Sequence, residues 1–303
     1  MRLLLVVNTS ASSVTARARV VIQKALSADH EVIMRETNRR GHATRLAQGA
    51  AADGLDAVVV LGGDGTLNEA ANGLAGSSTA LAVLPGGSTN VFARTIGFAN
   101  DPIEATSQLL SALAAGSMDR VGLGLANSRY FLFHAGIGFD AAVVARVEKM
   151  APLKRYAGPA VFLLATLLTW AHGYDRSRAF SVGTDGLPAS EAGFAICLNT
   201  DPYTYFGERP MHIAAGTTLE TPLSLLTFAN LNLASLLPVV GAAFRDGLKE
   251  APSPRAQLKR SITAATITSE RPVPYQLDGD YVGEAPLIEL RWAEAALSLV
   301  TPP

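Results

Sequence analysis

The sequence predicts an α/β domain with a parallel sheet, followed by a mainly antiparallel, β-rich second domain. Three observations predict it. Short apolar runs alternate with helical patterns as far as Ala115. Several of those runs end in polar or glycine turns. From about Asp119 the pattern changes to β-type runs separated by Gly, Pro and Asp turns.

Leu3–Val7, His30–Glu36, Ala57–Leu61 and Ala80–Leu84 have the length and β-branched content of strands. Ala16–Ala28, His42–Ala52, Leu67–Leu74, Val91–Ile96 and Pro102–Ala115 have helical spacing. Four strands, each followed by a helix, imply a parallel sheet with helices on both faces, which binds ligands beyond the carboxyl ends of its strands. Later runs at Val121–Leu125, Tyr130–Ala135, Ala179–Val182, Phe194–Asn199, Leu223–Phe228, Ser261–Thr268 and Val273–Leu277 predict the second, antiparallel domain. The expected division is 1–120 for the α/β domain and 121–292 for the β-rich domain.

The stretch after the third run is the most informative. Gly62-Gly63-Asp64-Gly65 forms a turn, and Leu67, Ala70, Ala71 and Leu74 follow at i, i+3, i+4 and i+7. A strand, a glycine turn and a helix start make an anion site, because bare backbone approaches a phosphate closely and free N–H groups point at it. Asp64 is out of place there unless it holds a metal or accepts a proton. The plain alternative is structural: Thr66 and Glu69 have capping-box spacing, and Asp64 is an ordinary turn residue. Two further polar turns, Asn8-Thr9-Ser10 and Pro85-Gly86-Gly87-Ser88-Thr89-Asn90, end neighbouring runs and converge on the same edge.

Composition sets bounds. A net charge of −1 gives no global field to draw nucleic acid, so any attraction comes from a local patch. The single Cys197 excludes an internal disulfide and suggests a reducing compartment. The five histidines (30, 42, 134, 172 and 212) lack metal-ligand spacing. G-x-x-x-x-G-K-[ST] is missing, which excludes a P-loop enzyme. Ala157–Gly173 and Phe228–Phe244 are uncharged and carry a proline each, short of a bilayer span. Arg146, Lys149, Lys154, Arg155, Arg176 and Arg178 flank the first of them, as suits an anionic membrane surface or a plain solvated rim.

The loops together resemble the bacterial diacylglycerol kinase catalytic family, related to sphingosine kinases and distantly to NAD kinases. Thr37-Asn38-Arg39-Arg40-Gly41-His42-Ala43, Gly62–Thr66, Leu84–Arg94, Gly136-Ile137-Gly138-Phe139-Asp140-Ala141 and Leu277-Asp278-Gly279-Asp280 carry the resemblance, in family order. It implies an α/β nucleotide-binding domain to which a final strand in 293–303 returns, and an ATP- and Mg²⁺-dependent lipid kinase acting on the hydroxyl of diacylglycerol or a similar lipid alcohol. It further implies that Asn8, Thr9, Ser10, Thr37, Gly62, Gly63, Gly65, Thr66, Glu69, Gly87, Ser88, Thr89 and Asn90 bind nucleotide. Asp278 is then the acceptor base with Asp64, and Asp64 and Asp280 are the metal carboxylates. Expected partners are a lipid alcohol and a membrane surface, with room for a homodimer and no nucleic acid. The expected location is the cytoplasm, peripheral on the inner membrane face. Val91 stands where the family commonly has aspartate, and Asp280 where it has glutamate. Thr218–Pro222 stands in for an aspartate-glycine loop that holds a structural magnesium in some members. Two other readings fit the same residues: a soluble kinase of the NAD-kinase type, and a nucleotide- or lipid-binding protein without catalysis.

Overall fold

The computed structural model describes residues 1–149, 168–169, 179–185, 187–229, 239, 241–245, 247–248 and 256–302. The chain divides into two compact units, Met1–Leu123 with Glu294–Pro303, and Gly124–Ala293.

The first unit is α/β. Its elements are β1 (Arg2–Val7), α1 (Ala16–Ser27), β2 (Glu31–Glu36), α2 (His42–Ala52), β3 (Ala57–Gly62), α3 (Asp64–Leu74), β4 (Ala80–Pro85), α4 (Val91–Thr95) and α5 (Pro102–Ala115). Parallel pairing runs β2–β1–β3–β4. Burial on both faces explains why β3 and β4 read as continuous apolar runs: every residue of each is buried. β2 is the edge strand and alternates between exposed and half-buried. Local chemistry starts the helices. Thr15 accepts from the Ala18 N–H to open α1. Asp101 accepts from Ile103 and Glu104, with Pro102 behind it, to open α5, which Gly116 closes in the left-handed region at φ +66°.

The second unit is mainly antiparallel. It takes over within β5 (Met118–Ala126) and continues through β6 (Arg129–Phe131), β7 (His134–Gly138), α6 (Phe139–Lys149), β8 (Phe180–Thr184), β9 (Leu187–Ala192), β10 (Phe194–Leu198), the hairpin β11 (Thr204–Phe206) and β12 (Arg209–Met211), β13 (Leu223–Phe228), β14 (Ala256–Ile262) and β15 (Ala264–Leu277). β16 (Asp280–Val300) begins here and ends in the first unit, where Leu299 pairs in parallel with Leu81 of β4. The main sheet runs β14–β13–β10–β7–β15–β16. A core of Phe131, Ile137, Phe180, Cys197, Leu225, Ile267, Leu277 and Leu290 fills one face. Phe139, Phe194, Leu226 and Phe228 lead the cluster on another.

Four expectations need correction. The run expected at Tyr130–Ala135 is two strands, because Leu132 and Phe133 give their N–H groups to a side chain and leave the ladder. Helix α6 went unread, although Phe139, Val143 and Val147 at i, i+4 and i+8 form its buried stripe. The two runs at Ser261–Thr268 and Val273–Leu277 regroup: Ser261 and Ile262 end β14, while the rest is one strand, β15, broken only by an irregularity between Thr268 and Val273. Helix α3 starts at Asp64 rather than Leu67. The segment 157–173, all but Leu168 and Thr169, lies outside the described residues, as do most of 228–244 and Lys154, Arg155, Arg176 and Arg178. Among the described residues no helix is long and apolar enough to cross a membrane.

Candidate functional site

In the first unit the loops after β1, β3 and β4 lock into one another. Backbone touches backbone at the glycines. The Gly86 N–H donates to the Gly62 carbonyl at 2.8 Å. A Cβ on Gly86 would stand 2.9 Å from the Gly62 Cα, and one on Gly87 would stand 2.9 Å from the Gly63 Cα. The glycines are therefore needed first for this close approach, before any ligand enters. The β1 loop joins the other two. Asn8 Nδ2 donates to Thr66 Oγ1 at 2.8 Å, and Asn8 Oδ1 accepts from the Ser10 N–H. The Ser13 N–H and hydroxyl donate to the carbonyls of Gly86 and Gly87. Ser13 was not among the expected residues, and no local motif marks it.

Asp64 is the hinge of this arrangement. Its two oxygens accept from the N–H groups of Val91, at 3.0 Å, and Phe92, at 3.1 Å. It therefore satisfies the first turn of α4 from 27 residues away, while itself opening α3 behind the cap residue Gly63. A carboxylate at this helix start is stabilised by the peptide dipole, which explains an anion placed among amides. Asn90, in the left-handed region at φ +49°, braces the second glycine loop: its Oδ1 accepts from the Gly87 N–H and its Nδ2 donates to the Gly87 carbonyl and to Asn100.

The alternative, a capping box of Thr66 and Glu69, does not form. Thr66 takes its hydrogen bond from Asn8, and Glu69 reaches across to α2, where its oxygens accept from Gly41 at 2.7 Å and Ala43 at 3.1 Å. Glu69 thus holds the Thr37–Ala43 loop in place rather than facing the glycine turn. That loop starts where the Thr37 N–H meets the Val7 carbonyl. Gly63, Gly65 and Thr89 are half-buried, and Thr9, Ser10 and Ser88 are exposed. The result is a surface of first-turn amides, hydroxyls and side-chain-free backbone at the carboxyl edge of a parallel sheet, an arrangement suited to phosphate oxygens.

The second unit holds Asp278. It lies with Gly279 in the two-residue turn between β15 and β16, both at positive φ (+51° and +79°), as a twisted hairpin requires. The carboxylate is buried. It accepts from the N–H groups of Leu132 (2.7 Å), Phe133 (2.9 Å) and His134 (3.1 Å), while the Asp278 N–H donates to the His134 carbonyl. Asp280, across the same turn, pairs with Arg129 at 3.5 Å. Behind the turn lies Asp140, which accepts from the Tyr203 hydroxyl and from Gln276 Nε2, both at 2.7 Å. Burial raises the Asp140 pKa, and the two donors oppose that shift. Among the described residues no group of three His, Cys, Asp or Glu side chains could hold a metal alone.

His134 gives a pH prediction. Burial lowers its imidazole from 6.5 to about 3. The folded state keeps it neutral while the unfolded chain binds a proton, so its share of stability is complete above pH 6.5 and falls as pH drops towards 3. Acidification from pH 6.5 to 5 costs about 2 kcal/mol through this group, at ~1.4 kcal/mol per unit. Asp140 works in the opposite sense, so the comparison is with His134→Phe. Denaturant unfolding across that range should show a shallower slope in the variant, and equal slopes would refute the assignment.

Residues 2–121 match the family model of the diacylglycerol kinase catalytic domain. The chain is 34% identical over 181 residues to a Pseudomonas aeruginosa protein named "Probable lipid kinase YegS-like", a match covering 59% of this chain and 57% of the relative. It is 36% identical over 121 residues to a Bacillus subtilis diacylglycerol kinase, 39% of each chain. It is 26% identical over 282 residues to a diacylglycerol kinase of Staphylococcus saprophyticus, 88% of this chain and 84% of the relative. The match thus spans little more than half the length of the Pseudomonas relative. A crystal structure described as a diacylglycerol kinase from Bacillus anthracis superposes with a TM-score of 0.74 at 20% identity, covering 100% of this chain and 97% of that one, so the two share a fold.

Proposed function

From the match of residues 2–121 to the family model of the diacylglycerol kinase catalytic domain, we propose that this protein is an ATP- and Mg²⁺-dependent lipid kinase that phosphorylates the hydroxyl of diacylglycerol or a similar lipid alcohol. One observation carries the reading: the glycine turn after β3 and the glycine loop after β4 interlock through Asp64 and bare backbone, which builds an amide-lined edge for a triphosphate. The donor's phosphates lie against the first turn of α3 and the loop after β4, and the hydroxyls of Thr9, Ser10, Thr66, Ser88 and Thr89 add donors.

The residues fit Mg²⁺ in one way. This ion keeps several waters and needs only one or two carboxylates beside phosphate oxygens. Asp64, whose oxygens already receive two amides, suits contact through water. Asp280 would have to leave Arg129 to take part. When bound, the ion neutralises charge on the transferred phosphoryl group. In this reading Asp278 accepts the proton of the acceptor hydroxyl, and its three backbone donors fix the direction its carboxylate faces.

The lipid acceptor requires contact with a membrane surface. Arg146 and Lys149 in the last turn of α6 lead into the uncharged segment 157–173. Neutralising Lys154 and Arg155 to Gln should weaken binding to anionic vesicles by about 2 kcal/mol, and added salt should weaken wild-type binding as well. Sedimentation with vesicles that is indifferent to both changes would exclude electrostatic docking. The activity itself is tested with labelled ATP and a panel of lipid alcohols in mixed micelles, where a phosphorylated lipid is expected.

A further inference from the structure

We propose that Asp140 and Gln276 are positioning residues for Asp278: the Asp140 carboxylate sets the orientation of the Gln276 amide, and that amide holds the Asp278–Gly279 turn. The proposal rests on the reading of Asp278 as the proton acceptor, and it gives a role to the Gly136–Ala141 motif, which the nucleotide loops leave unused.

The chain of contacts is short and buried. Gln276 is fully buried on β15, opposite Gly136 of β7. Its Nε2 donates to Asp140 at 2.7 Å, and its Oε1 accepts from the Gly279 N–H at 2.8 Å. An amide has one donor end and one acceptor end, so what it meets on one side decides what it offers on the other. A carboxylate accepts only. Facing Asp140, Gln276 must present its NH₂ there and its oxygen to the turn. The Gly279 N–H needs that oxygen, because a two-residue hairpin turn leaves the second central amide outside the ladder.

The space for this contact is built in. Asp140 sits in the first turn of α6 and folds back over Gly136. A Cβ on Gly136 would fall 1.8 Å from Asp140 Oδ2 and 2.6 Å from Gln276 Nε2. Tyr203 takes the other Asp140 oxygen through its hydroxyl, and its ring lies 4.4 Å from the His134 ring. His134 in turn gives its N–H to Asp278. Asp140 is therefore tied to both sides of the Asp278 carboxylate: to the turn through Gln276, and to its cradle of amides through Tyr203 and His134.

Gln276→Glu tests it. At alkaline pH, where the pair holds no shared proton, the change keeps the size and the acceptor but sets carboxylate against carboxylate. Exchange of the Gly279 amide, and of the Leu132, Phe133 and His134 amides that hold Asp278, should quicken at least tenfold. Turnover should fall about 10- to 100-fold, in the range lost when a catalytic group shifts by about 1 Å, with nucleotide affinity within threefold of wild type. Adding Asp140→Asn gives a donor back to the introduced carboxylate and leaves an acceptor for Tyr203, so the double variant should restore both readouts to within threefold. Where Gln276→Glu fails to fold, Gln276→Met, uncharged and nearly isosteric, should give the same fast exchange. Unchanged exchange, faster exchange with normal turnover, or no recovery in the double variant would each overturn the proposal. If wild type transfers no phosphate to lipid, the kinase reading has failed, and the exchange measurements alone decide whether the brace exists.

Discussion

Asp278→Asn is expected to lower turnover by about 10²–10⁴-fold with nucleotide affinity nearly unchanged, as for the loss of a general base. Asparagine tolerates the left-handed backbone that Asp278 occupies at φ +51°, so the turn itself survives. The side chain is another matter. The native carboxylate accepts from three N–H groups, at 2.7, 2.9 and 3.1 Å. With the asparagine oxygen towards Phe133 and His134, its NH₂ meets the Leu132 N–H, donor against donor. Leaving that buried amide unpaired costs about 1–3 kcal/mol. The variant is therefore both slower and less stable, and its melting temperature must be measured beside its rate. Turnover of the folded variant within threefold of wild type would exclude Asp278 as the base.

Gly86→Ala should reduce ATP affinity by about 10- to 100-fold, equivalent to roughly 1.4–2.8 kcal/mol of lost binding at ~1.4 kcal/mol per tenfold. The added methyl would lie 2.7 Å from Val14 Cγ2 and 2.9 Å from both the Cα and N of Gly62. Val14 can turn aside, but the Gly62 backbone cannot, because it ends β3 in register with Pro85 of β4. The two glycine loops must part, and the Gly86–Gly62 hydrogen bond stretches. Overpacking of this kind costs about 1–3 kcal/mol, so the fold should survive while the phosphate surface does not. Gly63→Val is milder at its Cβ, which would meet Gly87 Cα at 3.4 Å. Calorimetry that gives wild-type ATP affinity for Gly86→Ala would show that nucleotide does not use these loops.

The first unit was legible in the sequence because parallel strands buried on both faces leave unbroken apolar runs, as at Ala57–Leu61 and Ala80–Leu84. Its loops were legible as a set. Their internal wiring was not: Asp64 caps a helix 27 residues ahead, and Glu69 caps one whose first residues precede it by 26 and 28. Capping-box spacing pointed to a local partner, but the distant amides of α2 hold Glu69. Helix α3 starts three residues before its apolar spacing shows it, because Gly63 alone is the cap and Asp64, Gly65 and Thr66 already belong to the helix. In the second unit β14 does not show in the sequence before Ser261, since Lys259 and Arg260 mask its alternation. Gln276 and Asp140 stand 136 residues apart, and the Gly136–Ala141 motif gave the place of Asp140 without its partner.

The proposed activity of this chain is phosphoryl transfer from ATP to a lipid hydroxyl. The most direct measurement incubates the purified protein with γ-labelled ATP, Mg²⁺ and diacylglycerol in mixed micelles, with NAD offered in a parallel reaction and Asp278→Asn as control. Label in the organic-extractable lipid, lost in the control, is the expected result. Label on NAD and none in lipid would exclude a lipid kinase in favour of a soluble small-molecule kinase, and label on neither would contradict catalysis on these acceptors.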